Sequence, residues 1–251
     1  MLEIMTTSLS LRIRNQKIPM CFSAEVSYVA AAGLVPLGAG AMHRAYRTDR
    51  KYLPIAALPF LFGLQQLAEG LVWTSGAHTD RAWVDTFSLA YMFFSWLAWP
   101  VWVPFATYFL EPCRRRYVYL VFAILGGMLG AMQYFPYFAH QGWLVTRFLP
   151  HAIVYDGTVL FDFIMRRELT YAVYLFVIIA PLLSSSHRRT NIFGLLVCLV
   201  VVVVYLFFRY AYISFFCIGG ALMSAYVAYM VYAETAGPQI SGSSRTQPLP
   251  P

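Results

Sequence analysis

Residues 192–208 read IFGLLVCLVVVVVYLFF, a run with no charged side chain. A strand of a membrane barrel alternates apolar and polar positions, whereas this run is apolar on every side. It therefore closes its backbone hydrogen bonds within itself, as a helix. About 20 such residues cross the roughly 30 Å hydrocarbon core of a bilayer. Similar runs recur along the chain, which has 251 residues, 60% of them hydrophobic and 12% charged. This composition predicts an all-α, polytopic membrane helix bundle with no room for a separate soluble domain.

Working outward from that run, the pattern predicts seven transmembrane helices at about 22–42, 53–73, 87–110, 117–136, 169–185, 191–209 and 210–233. The last two meet around Arg209 and Tyr210 with almost no loop. One long bent helix is the alternative, but residues 191–233 would then extend about 64 Å, roughly twice the hydrocarbon thickness. Two spans are therefore expected.

Orientation follows from the basic residues. With the end of the first span inside, the cytoplasmic side collects Arg44, Arg47, Arg50, Lys51, Arg114, Arg115, Arg116, Arg188, Arg189 and Arg245. From Met20 onward the opposite side has only Arg81, Arg147, Arg166, Arg167 and Arg209. Short cytoplasmic loops carry the excess of Lys and Arg, which puts the N-terminus outside and the C-terminus in the cytoplasm. The expected location is a multipass position in the plasma membrane. The net charge of +7 is explained by these loops, so nucleic-acid binding is not expected.

The prefix 1–19 carries Arg12, Arg14 and Lys17 and would have to be translocated against the same rule. Three readings stand: a mispredicted start with Met20 as initiator, a poor targeting peptide, or a disordered tail. If Met20 is trimmed, Cys21 becomes the first residue, with an amine and a thiol able to chelate together; the plain reading is a small buried residue at a helix start. Residues 20–233 form the seven-helix membrane domain. The Pro- and Ser-rich stretch 234–251 is expected to be a disordered cytoplasmic tail.

The segments MCFSAEVSYVAAAGLVPLGAG (20–40), LPFLFGLQQLAEGLVW (58–73), LEPCRRR (110–116), LPHAIVY (149–155), PLLSSSHRRTNIFGLL (181–196) and ISFFCIGGALMSAYVAY (213–229) occur in this order. Together they resemble the signature segments of an uncharacterised family of small multipass membrane proteins, mostly bacterial, that open with Met-Cys-Phe-Ser-Ala. The resemblance implies Met20 as the usual start and brings no biochemical activity with it. It implies a Trp-Cys-Phe-Phe run where FFCIGG stands.

Chemistry concentrates in the second span. Gln65 and Glu69 are four residues apart and Gln66 and Glu69 three apart, so all three share one helical flank. An ionisable group inside a span faces the bundle interior and pairs with something. The topology brings Glu25, Gln133, Arg209, Ser214 and Cys217 to the same outer depth. This predicts an outward-facing polar vestibule that binds a small ligand, ion or lipid through Glu25, Gln65, Gln66, Glu69, Gln133 and Arg209. The alternative is an interhelical hydrogen-bond network in which Arg209 neutralises Glu25 or Glu69.

The longest loop, 137–168, lies outside. Asp156-Gly157 sits between two short apolar runs and predicts the turn of a small β-hairpin. His140 and His151, with Cys21, Glu25, Glu69 or Asp156, are candidate ligands of a metal; the plain reading is interfacial loop residues. Trp96, Trp99 and Trp102 recur at a spacing of three around Pro100 and Pro104 and read as packing about a kinked helix. GGMLG (126–130) and GGALMS (219–224) offer small faces for close helix contact. Cys113 beside three arginines is a candidate palmitoylation site.

The expected partners are the lipid bilayer and a small ligand or ion, handled as transporter or sensor. A membrane-embedded metal-dependent hydrolase is the alternative. Against it, no predicted span contains histidine, whereas seven-helix zinc hydrolases place several within their helices. The only lysines are Lys17 and Lys51, neither in a span, so no retinal Schiff base can form. Nothing in the sequence identifies a cofactor or an oligomeric state.

Overall fold

The computed structural model describes residues 23–140, 142–149, 152–158, 160–164, 166–207 and 212–235. Cys21, His151, Arg209, the prefix and the tail beyond 235 lie outside them. Among the described residues seven helices form the bundle: α1 (Ala24–Thr48), α2 (Leu58–Ala77), α3 (Arg81–Leu110), α4 (Arg116–Tyr134), α5 (Arg167–Leu183), α6 (Arg188–Phe207) and α7 (Tyr212–Thr235). A 3-10 turn, Arg50–Tyr52, and a helical turn, Leu53–Ala56, lead into α2, and Pro136–Ala139 continues α4. Four stretches, Ala24–Thr48, Arg50–Ala77, Arg81–Leu110 and Arg116–Ala139, are long and apolar enough to cross a membrane.

Two helices start earlier than their apolar runs suggest. The Asp80 side chain accepts a hydrogen bond from Trp83 N at 3.4 Å, so α3 begins at Arg81 instead of near 87. α5 begins at Arg167, which is paired with Asp162. The kink expected in the third span appears as a π-helical stretch, Phe93–Ala98, directly before Pro100. Proline has no N–H to offer the carbonyl of Trp96 four residues back, and the ladder widens there.

Neighbouring helices alternate in direction, and glycines set how closely they approach. A Cβ at Gly38 of α1 would lie 2.3 Å from the Phe60 backbone nitrogen, and one at Gly70 of α2 2.7 Å from the Tyr28 ring. In α4, a Cβ at Gly126 would lie 2.0 Å from Pro100 O and one at Gly130 2.4 Å from Trp96 O. α5 and α6 meet at Leu182 and Gly194. α6 and α7 meet at Val200 and Gly219, and the Phe193 and Tyr226 rings stack at 6.5 Å. In a single continuous helix, residues 200 and 219 would be about 28 Å apart. The two are therefore separate helices folded back on each other.

This alternation gathers the turns into two ends. At one end Arg44 of α1 donates to Thr235 O of α7 at 2.9 Å, Arg189 of α6 pairs with Glu234 at 2.6 Å, and Glu111 after α3 meets Ser185 and Ser186 before α6. This end holds the basic turns. The half of the core beneath it is built from Ala41, Ala45, Ile55, Leu110, Leu182 and Val227, and the half toward the other end is aromatic, with Tyr91, Trp96, Tyr134, Tyr137 and Tyr155. α2 is the central helix, with 72% of its apolar window buried against 28–39% in α1, α3 and α4.

At the second end lies a two-stranded antiparallel sheet, β1 (Leu144–Leu149) and β2 (Ala152–Gly157). The hairpin expected in this loop is present, but its turn is not Asp156-Gly157. Those residues end β2 opposite Val145 and Leu144, and the chain reverses between Leu149 and Ala152. Gly157 is needed for another reason: a Cβ there would come 2.4 Å from the Tyr137 hydroxyl.

Candidate functional site

The hairpin is seated on the aromatic half-core. Ile153 and Tyr155 point into it, with Tyr155 stacked on Tyr91 of α3 at 4.7 Å. Ser88 and Thr146 share a hydrogen bond of 2.7 Å, Phe148 lies against the Trp73 ring at 5.8 Å, and Arg167 donates to Gly157 O at 3.2 Å. One face of the ribbon, carrying Thr146, Phe148, Ile153 and Tyr155, is thus fixed to the bundle by both polar and aromatic contacts.

Beneath it, α2 to α5 are aligned in depth by their contacts with α3. Gln65 of α2 donates to Ser95 Oγ at 3.2 Å and accepts from Trp99 Nε1 at 2.9 Å. Tyr134 of α4 donates to Leu89 O at 3.1 Å, and Tyr174 of α5 donates to Ser95 O. The Trp96 indole stacks on Tyr171 at 5.9 Å and meets Tyr174 edge-on at 5.5 Å.

At this level lie four side chains, each no more than 8% exposed, whose polar atoms have no hydrogen-bond partner among the described residues: Trp96 Nε1, both amide atoms of Gln133, Tyr137 Oη and Thr170 Oγ1. Trp96 Nε1 and Tyr137 Oη lie near each other without forming a well-made hydrogen bond. Gln133 and Tyr137 are four residues apart and continue the α4 face that carries Gly126 and Gly130 toward α3. Thr170 precedes the Tyr171 ring that covers Trp96. Leaving a buried polar group unsatisfied costs about 1–3 kcal/mol. Buried polar groups of this kind are satisfied by water or by a ligand. The set is uncharged and offers two hydroxyls, an indole N–H and an amide, within a wall of aromatic rings.

The residues singled out in the sequence are only partly brought together here. Gln65, Gln66, Glu69 and Gln133 are all buried, and Gln66 Nε2 likewise has no partner among the described residues. Glu25 is exposed on the first turn of α1, where Ser23 donates to it. Of the candidate metal ligands, His140 stacks on Trp143 at 4.2 Å beside an apolar surface cleft with Met132, Phe135 and Leu160, and Asp156 pairs with Arg147. Among the described residues no three His, Cys, Asp or Glu side chains are placed to hold a metal. Trp96, Tyr137 and Thr170 escaped sequence reasoning because each reads as ordinary packing. The available signal was the i, i+4 pair of Gln133 and Tyr137.

A second buried polar cluster, also unread in the sequence, lies at the basic end. Glu111, 1% exposed, accepts through Oε1 from Ser185 Oγ and from Ser186 N, both at 2.6 Å. His187 Nε2 donates to Leu110 O at 2.7 Å and Arg116 Nε to Glu111 O at 2.8 Å. These bonds clasp the α3–α4 turn to the α5–α6 turn.

A family model described as a family of unknown function, DUF6629, matches residues 20–241, and the chain belongs to that family. No curated protein and no solved structure matches the chain.

Proposed function

We propose that this member of a family of unknown function is a seven-span membrane protein whose basic end faces the cytoplasm, and that its outer half binds a small polar molecule as transporter or sensor. Two features support the membrane orientation. The helices alternate in direction, and nine of the arginines and lysines assigned to the cytoplasmic side, Arg44, Arg47, Arg50, Lys51, Arg114, Arg115, Arg116, Arg188 and Arg189, lie in or beside turns of one end.

The observation that carries the ligand is Gln133, fully buried with neither amide atom bonded to any of the described residues. A natural sequence keeps such a residue when something other than the protein completes its hydrogen bonds. Taken with Trp96, Tyr137 and Thr170, buried in the same aromatic half of the bundle, it suits an uncharged molecule bearing hydroxyl or amide groups. The carboxylate of Glu69 lies buried on α2. The hairpin covers the site from outside, so exchange requires the ribbon to move from its seat on Tyr91 and Trp73.

Native mass spectrometry with elemental analysis of the purified protein tests this directly. The expected result is a small adduct of defined mass, released on denaturation. A polypeptide recovered at its bare mass, without adduct or metal, stands against the site.

A further inference from the structure

We infer that the N-terminal end of α4 is a binding surface for one anionic phospholipid, its phosphate held by Arg114 and Arg115 with Ser186 and its chains laid along the apolar stripe of α4. The inference rests on the membrane orientation proposed above.

The first support is how the basic residues of that end are engaged. Lys51 pairs with Asp49 at 3.0 Å, Arg189 pairs with Glu234, and Arg44 holds Thr235 at the end of α7. Arg50 lies over the Tyr46 ring at 4.5 Å. Arg116 is held by Glu111 O and lies over the Tyr108 ring at 5.7 Å. Arg47, Arg114, Arg115 and Arg188 are exposed and have no acidic partner among the described residues; of these only Arg114 and Arg115 are adjacent in sequence, at the start of α4, where Arg115 reaches Ser186 Oγ at 3.5 Å. Glu111, the nearest carboxylate in sequence, is buried and committed to Ser185 and Ser186.

Their position makes the excess charge costlier. α4 starts with Arg115 at its N-cap, no capping side chain and no acidic residue in its first turn. Cations at a helix N-terminus oppose the helix dipole, so an anion there offsets both. The second support is what lies next to them. Tyr117, Val121, Ile124, Leu125 and Met128 are at least half exposed and fall on one stripe of α4. From 117 to 128 this stripe runs about 16 Å, the depth of one leaflet. Beside it Phe122 packs on Phe176 of α5, itself 61% exposed. Phosphate-binding arginines at the top of a leaflet-deep apolar stripe fit a phospholipid, and a soluble phosphate compound would leave the stripe unused.

The test is native mass spectrometry of the full chain in neutral detergent, titrated with phosphatidylglycerol and with phosphatidylcholine of the same chains. The parent is expected to retain phosphatidylglycerol about tenfold more tightly. The double variant Arg114→Gln/Arg115→Gln should lose that preference at an unchanged melting temperature, and Arg47→Gln/Arg188→Gln should keep it. Equal loss in both variants, or no preference in the parent, overturns the inference, because only bulk charge would then be acting. Displacement of phosphatidylglycerol by inorganic phosphate alone overturns the lipid as occupant. Extraction of the protein from native membranes by alkaline carbonate sinks the membrane reading itself, whereas a protein that stays inserted but shows no preference sinks this inference alone.

Discussion

The Glu111 carboxylate accepts a 2.6 Å hydrogen bond from the Ser185 hydroxyl across 74 residues of chain, joining the α3–α4 turn to the α5–α6 turn inside the protein. Replacing Glu111 by Leu strands Ser185 Oγ and Ser186 N, and the expected cost is about 2–4 kcal/mol. Gln keeps one acceptor oxygen in place and should cost less than half as much. Thermal melts of the two variants check this, and a Leu variant as stable as the parent would refute the clasp.

Close helix approach predicts opposite outcomes at two glycines. Gly126→Ala drives a Cβ to 2.0 Å from Pro100 O and should destabilise by about 1–3 kcal/mol. Gly33 of α1 has nothing within 4 Å of an added Cβ, so Gly33→Ala should stabilise by about 0.5–1 kcal/mol. Folded yield and melting temperature in one detergent compare the pair.

Membrane orientation is open to reporter fusions. Those after residues 48, 115 and 187 should report the cytoplasm, and those after 79 and 150 the outside. Cytoplasmic activity after residue 150 would invert or break the scheme.

How much of this was legible in the sequence differs by element. The seven helices were, because each is a long apolar run and the length of the last stretch already demanded two helices. The hairpin was legible, but not its turn. Asp156-Gly157 has the composition of a hairpin turn, yet here Gly157 makes room for the Tyr137 hydroxyl, and that demand comes from a helix twenty residues earlier. Glu111 was hidden for a similar reason. Beside three arginines it reads as a loop charge, and its burial is imposed by serines 74 residues away. In the aromatic half of the core the polar residues of α2 stood out against their apolar background. Trp96, Tyr137 and Thr170 did not, since only the packing of α3, α4 and α5 shows that their polar atoms lack partners.

The central claim is that the buried polar atoms around Gln133 are completed by a bound molecule, and Gln133→Leu tests it most directly. Leu fits a similar volume and removes both unsatisfied amide atoms. If the site holds a ligand, the variant should lose the adduct seen by native mass spectrometry in the parent, and its melting temperature should be equal or lower, because the stabilisation from the ligand is gone. If the polar atoms serve no ligand, Leu should raise the melting temperature by relieving about 1–3 kcal/mol of unsatisfied burial, with nothing lost from the spectrum. A more stable Gln133→Leu protein with the same bound mass as the parent would contradict the account.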